Sequence, residues 1–167
     1  MIRISAVIIT YNEEKNIARC LQSLQGVADE IIVIDSFSTD ATLKACEPFH
    51  PILHQRVFDS FSAQKNAGNA LATGDYILSL DADEALSEDL RNALLEFKKE
   101  PDADILEVNR VTNYCGHWVR FCGWYPDAKI RCWKKEMAWW DDSMVHEDLH
   151  LAEGATQRRI KKDILHY

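Results

Sequence analysis

The first hundred residues alternate short apolar runs with segments in which apolar residues recur at helical spacing. The apolar runs cover residues 4–10, 30–35, 51–58 and 75–80, and each predicts a strand. A segment with helical spacing follows each of these runs. Because strand and helix alternate in this way in parallel sheets, the pattern predicts an α/β fold with helices on both faces of the sheet.

Residues able to accept a backbone hydrogen bond stand at the expected start of the helices. They are Asn12 for the first helix, Ser38 or Asp40 for the second and Ser87 for the fourth. Gly74 stands near the expected end of the third helix, where we expect a positive φ. The apolar residues at helical spacing, which should face the sheet, are Ile17, Leu21 and Leu24, then Ala63, Ala67, Ala70 and Leu71, and finally Leu90, Leu94 and Phe97.

Residues 101–167 show a different pattern. Residues 104–112 partly alternate between apolar and polar, and all five tryptophans lie between residues 114 and 140. This predicts a smaller region of antiparallel strands and loops. Since no Gly- or Ser-rich linker separates the two parts, we expect residues 1–167 to form a single domain with two halves, which divide near residue 100.

Charge and cysteine content narrow the classes of function. The net charge is -8, the isoelectric point is near 5.2 and the basic residues are scattered, whereas nucleic-acid binding needs a basic surface. The five cysteines show no CxxC spacing, and the apolar run at the N-terminus is too short for a signal peptide or a membrane span. We therefore expect a cytoplasmic protein with reduced thiols that does not bind nucleic acid.

Polar residues follow the first, second and fourth strands, in the segments TYNEE, DSFSTD and DADE. Ligands of open α/β sheets bind at the carboxyl ends of the strands, so these segments should line one crevice. Asp81 and Asp83 stand two residues apart on extended backbone, so both carboxylates can point to the same side. Mg²⁺ and Mn²⁺ take oxygen ligands from carboxylates and phosphates together. A lone D-x-D triplet is more often part of a solvated turn, and its place after a buried strand is what favours a cation site. Glu84 is expected to be a surface charge.

Three longer segments carry a resemblance to a known family. They are AVIITYNEEKNIARCLQSL, EIIVIDSFSTDAT and QKNAGNALATGDYILSLDADE. In this order and spacing they resemble the nucleotide-binding segments of the inverting family 2 glycosyltransferases, which have the GT-A fold. The later segments GWYPDAKIRCWKK and MVHEDLHL are similar to the branch of lipopolysaccharide core β-1,4-glucosyltransferases. The resemblance implies transfer of a sugar, with inversion, from a UDP- or GDP-linked donor to a hydroxyl of a glycan or glycolipid acceptor.

The resemblance also implies roles for individual residues of the first half. Asp83 would hold the Mg²⁺ or Mn²⁺ ion that bridges the two phosphates of the donor. Lys65 and Asn66 stand at the family's RN position beside the diphosphate, where a cation is favourable. The family often has a second acidic residue after Asp35, whereas this chain has Ser36. The residues implied to border the base and ribose are Thr10, Tyr11, Glu13, Asp35 and Asp81.

The second half should supply the catalytic base and the acceptor site. In the general family the second residue of an ED pair is the base, which implies Asp148, whereas the HE of the lipopolysaccharide branch implies Glu147. We prefer Asp148 and keep both residues as candidates. His166 can approach the metal as a further ligand. Trp124 and Asp127, in GWYPD, are the candidates for acceptor binding, since the tryptophans outnumber what a core of this size needs.

Three other functions compete with sugar transfer. A haloacid dehalogenase-like phosphatase also has a strand that ends in D-x-D, with Asp81 then acting as nucleophile, but its triplet usually follows the first strand and has Thr or Val where this chain has Ala85. A sugar-phosphate nucleotidyltransferase needs a Gly-rich basic loop, which TYNEEKN lacks. The retained Asp81, Asp83 and candidate base argue against a catalytically silent sugar-binding module. Longer members of the family carry further C-terminal sequence, so part of the acceptor half can be missing here, and peripheral membrane association stays open.

Overall fold

The computed structural model describes residues 1–141 and 148–167. The strands are β1 (Ile4–Thr10), β2 (Glu30–Asp35), β3 (Ile52–Gln55), β4 (Tyr76–Asp81), β5 (Glu84–Leu86), β6 (Ile105–Tyr114), β7 (His117–Val119), β8 (Asp127–Lys134), β9 (Ala138–Trp140), β10 (Leu149–Leu151) and β11 (Gln157–His166). The helices are α1 (Ile17–Ser23), α2 (Thr42–Cys46), α3 (Phe61–Leu71) and α4 (Glu88–Lys99), and a 3₁₀ turn covers Glu47–Phe49. The four predicted strands of the first half are β1 to β4.

The main sheet runs in the order β3-β2-β1-β4-β8-β6-β11-β5, and β7 pairs with β6. The first four strands of this order are mutually parallel. β8 joins β4 to β6 with antiparallel pairing on both sides, and β6 pairs in parallel with β11. β9 and β10 form a separate antiparallel sheet. The predicted α/β fold with a smaller antiparallel region is therefore confirmed, and the second half also extends the main sheet.

Alternate residues of β1 face opposite layers of the core. Ala6 and Ile8 belong to a buried cluster that includes Leu21 of α1 and Phe97 of α4. Val7 belongs to the cluster on the other face of the sheet, which α3 covers. Helices therefore lie on both faces, as predicted. The predicted inward residues of α4, Leu90, Leu94 and Phe97, are all buried.

α3 meets the sheet with a different face from the predicted one. Its buried residues are Ser62, Gln64, Lys65 and Gly68. The predicted inward residues are half-buried or exposed: Ala63, Ala67, Ala70 and Leu71. The reason is the close approach of the helix at Gly68, where a Cβ atom would lie 2.3 Å from Val7 Cγ1. Glycine at this point lets the helix lie directly on β1. In this position the buried face of α3 carries polar side chains, among them Gln64 and Lys65.

Local conformation explains two further differences at turns. Asn12 has a φ of 55° and its side chain accepts a hydrogen bond from Thr39 N at 2.8 Å, so it joins two loops and does not cap α1. Gly74 does not have a positive φ. It is required because a Cβ atom there would lie 2.7 Å from Ser5 Oγ. The predicted cap is confirmed at Ser87. Asp40 accepts a hydrogen bond from Thr42 N at 3.0 Å, but the N-cap of α2 is Ala41, so the predicted cap at Asp40 is wrong. Among the described residues, no helix has the length and apolar character needed to cross a bilayer.

Candidate functional site

A cavity of about 300 Å³ opens at the carboxyl ends of β1 and β4. The residues that line it are Ile9, Thr10, Tyr11, Glu13, Ser36, Phe58, Phe61, Gln64, Asp81, Ala82, Asp83 and His166. The polar ends of the first, second and fourth strands therefore converge on one crevice, as the sequence predicts. The end of β11 reaches the same crevice.

Asp81 lies at the end of β4 between two cations. Its Oδ1 is 3.4 Å from Lys65 Nζ, and its Oδ2 is 3.2 Å from Arg131 Nη2. Partial burial opposes the charged form of this carboxyl, but Arg131 and Lys65 together outweigh it and hold the pKa of Asp81 below its usual range. α3 supplies one cation and β8 supplies the other, so the acidic end of β4 is stabilised from two sides by the protein itself.

Glu84 is buried, and the prediction of a surface charge is wrong. Its side chain has no exposed area, its Oε1 is 2.6 Å from Arg131 Nη2 and its Oε2 accepts a hydrogen bond from Asp81 N at 3.0 Å. Burial raises the pKa of Glu84 against the opposing effect of Arg131. Glu84 therefore belongs to the structure that supports Asp81. The sequence did not reveal Arg131 as part of the site, because no local pattern relates this residue of β8 to Glu84, which lies 47 positions earlier in the chain.

Asp83 and His166 lie side by side at the mouth of the cavity. Asp83 Oδ2 is 3.2 Å from His166 Nε2, and Thr112 Oγ1 lies 3.3 Å from the other ring nitrogen. Tyr167 N donates a hydrogen bond to Asp83 O at 3.0 Å, and β11 pairs with β5, so backbone contacts hold the pair together. The hydrogen bond with Asp83 raises the pKa of His166.

A carboxylate beside an imidazole is a donor set that suits Mn²⁺, and Mg²⁺ takes carboxylate ligands. Among the described residues, no three His, Cys, Asp or Glu side chains converge as a metal site. Asp83 and His166 are two side chains that fit the predicted metal as ligands.

Aromatic side chains also line the cavity. Phe58 and Phe61 are about half exposed, and their rings meet edge to face with centroids 5.1 Å apart. Tyr11 is also exposed and lines the same space. Such faces accept a flat ring by stacking. The sequence reasoning did not assign the two phenylalanines, although the apolar pair in FDSF just before a capped helix was a signal for them.

Asp35 is fully buried and does not line the cavity. Its Oδ2 accepts hydrogen bonds from Ser38 N and Gln55 Nε2, each at 3.0 Å. Ser36 lines the cavity in its place, and Gln64 donates to Ser36 Oγ at 3.0 Å. Asp35 thus fixes the loop after β2, and its contact with a base stays a prediction.

Lys65 and Asn66 have different surroundings although they are neighbours in sequence. Lys65 Nζ reaches Asp81 and lies 4.6 Å from the centre of the Trp140 ring. Asn66 Nδ2 donates to Trp140 O at 2.9 Å, and Asn66 Oδ1 accepts from Trp140 N at 3.2 Å. Asn66 therefore fastens β9 to α3 and does not line the cavity.

The other predicted residues of the second half, apart from His166, do not line this cavity or are outside the described residues. Glu147 is outside them. Asp148 is exposed just before β10, and its backbone oxygen accepts a hydrogen bond from Asp141 N at 2.9 Å. Trp124 is 50% exposed, and Asp127 forms ion pairs with Arg110 at 2.7 Å and with Lys129. Their assigned roles stay predictions.

Comparison with known proteins identifies the class to which this fold and crevice belong. The family model for Glycosyl transferase family 2 matches residues 5–138. The chain therefore belongs to this family, and the phosphatase alternative is set aside.

Individual relatives agree with this assignment. A Rickettsia felis protein described as an uncharacterized glycosyltransferase is 39% identical over 94 residues, which cover 56% of this chain and 33% of that protein. The crystal structure of S. aureus TarS has a TM-score of 0.67 at 19% identity and covers 98% of this chain and 36% of TarS. The mannosyltransferase PcManGT from Pyrobaculum calidifontis, solved with GDP-Man and Mn²⁺, has a TM-score of 0.51 at 26% identity and covers 67% of this chain and 36% of that one. These likenesses confirm the predicted GT-A fold, and the chain spans about a third of the length of these proteins.

Proposed function

We propose that this chain transfers a sugar from a nucleoside diphosphate sugar to a hydroxyl of an acceptor, with a divalent cation and with inversion at the sugar. The observation that carries the proposal is the arrangement of the cavity in a member of glycosyl transferase family 2. Asp81, Asp83 and His166 line one part of it, and exposed aromatic side chains line another part. A ligand with a flat base and a diphosphate matches both parts.

The aromatic part fits the base of the donor. Tyr11, Phe58 and Phe61 offer ring faces, and stacking against rings tolerates either uracil or guanine. The buried Thr10 hydroxyl has no hydrogen-bond partner among the described residues, so it is a group that a ligand can satisfy. Asp81 would then meet the ribose, since it lines the same cavity as the aromatic residues and Asp83.

The acidic part fits the diphosphate. Asp83 and His166 would hold the cation, and PcManGT, which is 26% identical, was solved in complex with GDP-Man and Mn²⁺. A bound divalent cation stabilises the negative charge that develops on the leaving diphosphate. Lys65 adds a fixed positive charge from α3 on the same side of β4.

The acceptor hydroxyl needs a base on the face of the sugar opposite the leaving group. Asp148 and Glu147 remain the candidates. Asp148 directly precedes β10, which pairs with β9, and Asn66 fastens β9 to the helix that carries Lys65. This connection supports Asp148 as the base, since β10 pairs with the strand that Asn66 fastens to α3. The lipopolysaccharide core, or a related glycan or glycolipid, is the acceptor class that we propose.

Turnover of a donor panel tests the proposal. The assay follows release of the nucleoside diphosphate from UDP- and GDP-linked sugars, with Mn²⁺ and with deacylated lipopolysaccharide core oligosaccharide as acceptor. Asp83→Ala should lower turnover at least about 100-fold, since it removes a metal ligand. Asp148→Ala should lower it by a similar factor while donor binding persists.

Asp89→Asn is the control, because Asp89 is exposed on α4 and pairs with Lys162 away from the cavity. It should leave turnover unchanged. Absence of release from every donor would refute the proposed function. An active Asp148→Ala variant beside an inactive Glu147→Ala variant would transfer the role of base to Glu147.

A further inference from the structure

Arg131 and Glu84 form a buried ion pair that contacts Asp81. Arg131 is 5% exposed and Glu84 has no exposed area. The same nitrogen, Arg131 Nη2, lies 2.6 Å from Glu84 Oε1 and 3.2 Å from Asp81 Oδ2. One guanidinium therefore connects a carboxylate that lines the cavity to a carboxylate that lies wholly inside the protein.

Glu84 also acts on the backbone of the same aspartate. Its second oxygen, Oε2, accepts the hydrogen bond from Asp81 N at 3.0 Å. Asp81 is thus held at two points, at its backbone by Glu84 and at its side chain by Arg131. Lys65 Nζ lies 3.4 Å from the remaining oxygen of Asp81. With both oxygens next to cations, the carboxylate plane has little freedom to rotate.

Stability alone does not account for this arrangement. Each buried ion loses its hydration at a cost of several kcal/mol, and apolar residues of similar volume often stabilise a protein equally well. The chain holds a second internal pair for comparison, Lys98 and Asp29 at 2.8 Å, but Asp29 is 35% exposed and lies beside the first residue of β1, at the opposite end of the strands from the cavity. Of the carboxylates in these two pairs, the fully buried one is Glu84, which is next to a residue that lines the cavity.

We propose that Arg131 and Glu84 are positioning residues, which hold the Asp81 carboxylate in the orientation that binds the ribose hydroxyls of the donor. This inference rests on the proposed function. Neither residue needs to touch the nucleotide. Their effect on the donor passes through Asp81, so it concerns the ribose and not the base or the diphosphate.

The test compares a nucleotide with its analogue that lacks the ribose hydroxyls. Calorimetry with Mn²⁺ first shows whether UDP or GDP binds to the wild type, and the 2′,3′-dideoxy form of that nucleotide follows. The variants are Arg131→Lys, which keeps a charge but loses the forked geometry, and the double variant Glu84→Met/Arg131→Met, which removes both charges of the buried pair together. Lys98→Met is the control, because it breaks a buried pair away from the cavity.

We expect the wild type to bind the full nucleotide about tenfold more tightly than the dideoxy form, the size expected for hydrogen bonds to a charged group. The Arg131→Lys variant and the Glu84→Met/Arg131→Met variant should both lose this preference, and both should bind the dideoxy form as tightly as the wild type does. Lys98→Met should keep the preference. A wild type without the preference, or an Arg131→Lys or double variant that retains it, would overturn the inference. Failure of the wild type to bind either nucleotide would instead refute the proposed function, and the inference would fall with it.

Discussion

The close contact between α3 and β1 leads to a stability prediction that needs no ligand. In Gly68→Ala, the new Cβ would lie 2.3 Å from Val7 Cγ1 and 3.2 Å from Ile34 Cγ1. Carbon atoms pack at about 3.5–4.0 Å, so the helix must retreat by about 1 Å. Val7 cannot turn aside easily, because it is β-branched and fully buried.

Two opposing effects set the size of the change. Alanine favours a helix over glycine by about 1 kcal/mol. Overpacking of a tight core costs about 1–3 kcal/mol, and the upper part of this range applies because the contact is so short. We therefore expect Gly68→Ala to lower the free energy of unfolding by about 1–2 kcal/mol. Lys65, one turn earlier on α3, should move with the helix and weaken nucleotide binding as well.

Urea denaturation of a double-mutant cycle tests this reasoning. Val7→Ala removes the Cγ1 atom, so Gly68→Ala/Val7→Ala should be more stable than the sum of the single effects by about 1–2 kcal/mol. Ala70→Gly, on the exposed side of the same helix, measures the helix preference alone and should cost about 1 kcal/mol. A Gly68→Ala variant at least as stable as the wild type, or strictly additive effects in the cycle, would refute the reasoning.

Three further predictions concern charges and caps. Lys65→Met should destabilise the protein by about 1–3 kcal/mol, since Asp81 loses one of its cations, whereas Lys99→Met in an exposed pair should change stability by less than about 0.5 kcal/mol in the same urea assay. Burial opposes ionisation of Asp29, but its hydrogen bond with Lys98 lowers its pKa, so this stability is present above the unfolded-state pKa and is lost as the pH falls through the folded-state value. The difference in unfolding free energy between wild type and Lys98→Met should therefore shrink as the pH is lowered from about 7 to about 3. An equal difference at both pH values would contradict the stabilisation of the Asp29 carboxylate by Lys98. Ser87→Ala should cost about 1 kcal/mol, because the hydroxyl accepts from Leu90 N, and thermal denaturation can check it.

Local patterns were sufficient where burial and capping act within one element. α4 follows its prediction because Ser87 caps it and its apolar residues recur at one spacing. α3 does not, because alanine is weakly apolar and a glycine allowed the helix to approach with its polar face. The spacing of apolar residues cannot show which face of α3 is buried, since the deciding contact is with Val7 on β1.

The strand ends of the candidate site were predictable, and His166 was already a candidate metal ligand in the sequence analysis. The positions of Asp81 and Asp83 follow from a buried strand and the rule for open sheets. The contact of His166 with Asp83 depends on the pairing of β11 with β5, which joins distant parts of the chain. The buried state of Glu84 depends on Arg131 in β8. Both are tertiary contacts that no local sequence pattern predicts. The hydrogen bond from Ser38 N that holds the Asp35 carboxylate in the loop after β2 likewise forms only in the folded turn.

The most direct test of the account is calorimetric titration of UDP- and GDP-linked sugars into the wild type and Asp83→Ala, each with Mn²⁺ and with chelator. Asp83 is partly exposed and its partner in the structure is His166, so the substitution should leave the fold intact. We predict that at least one donor binds the wild type with Mn²⁺, that chelator weakens this binding, and that Asp83→Ala binds weakly in both conditions. Equal binding by wild type and Asp83→Ala, or no binding of any donor, would contradict it.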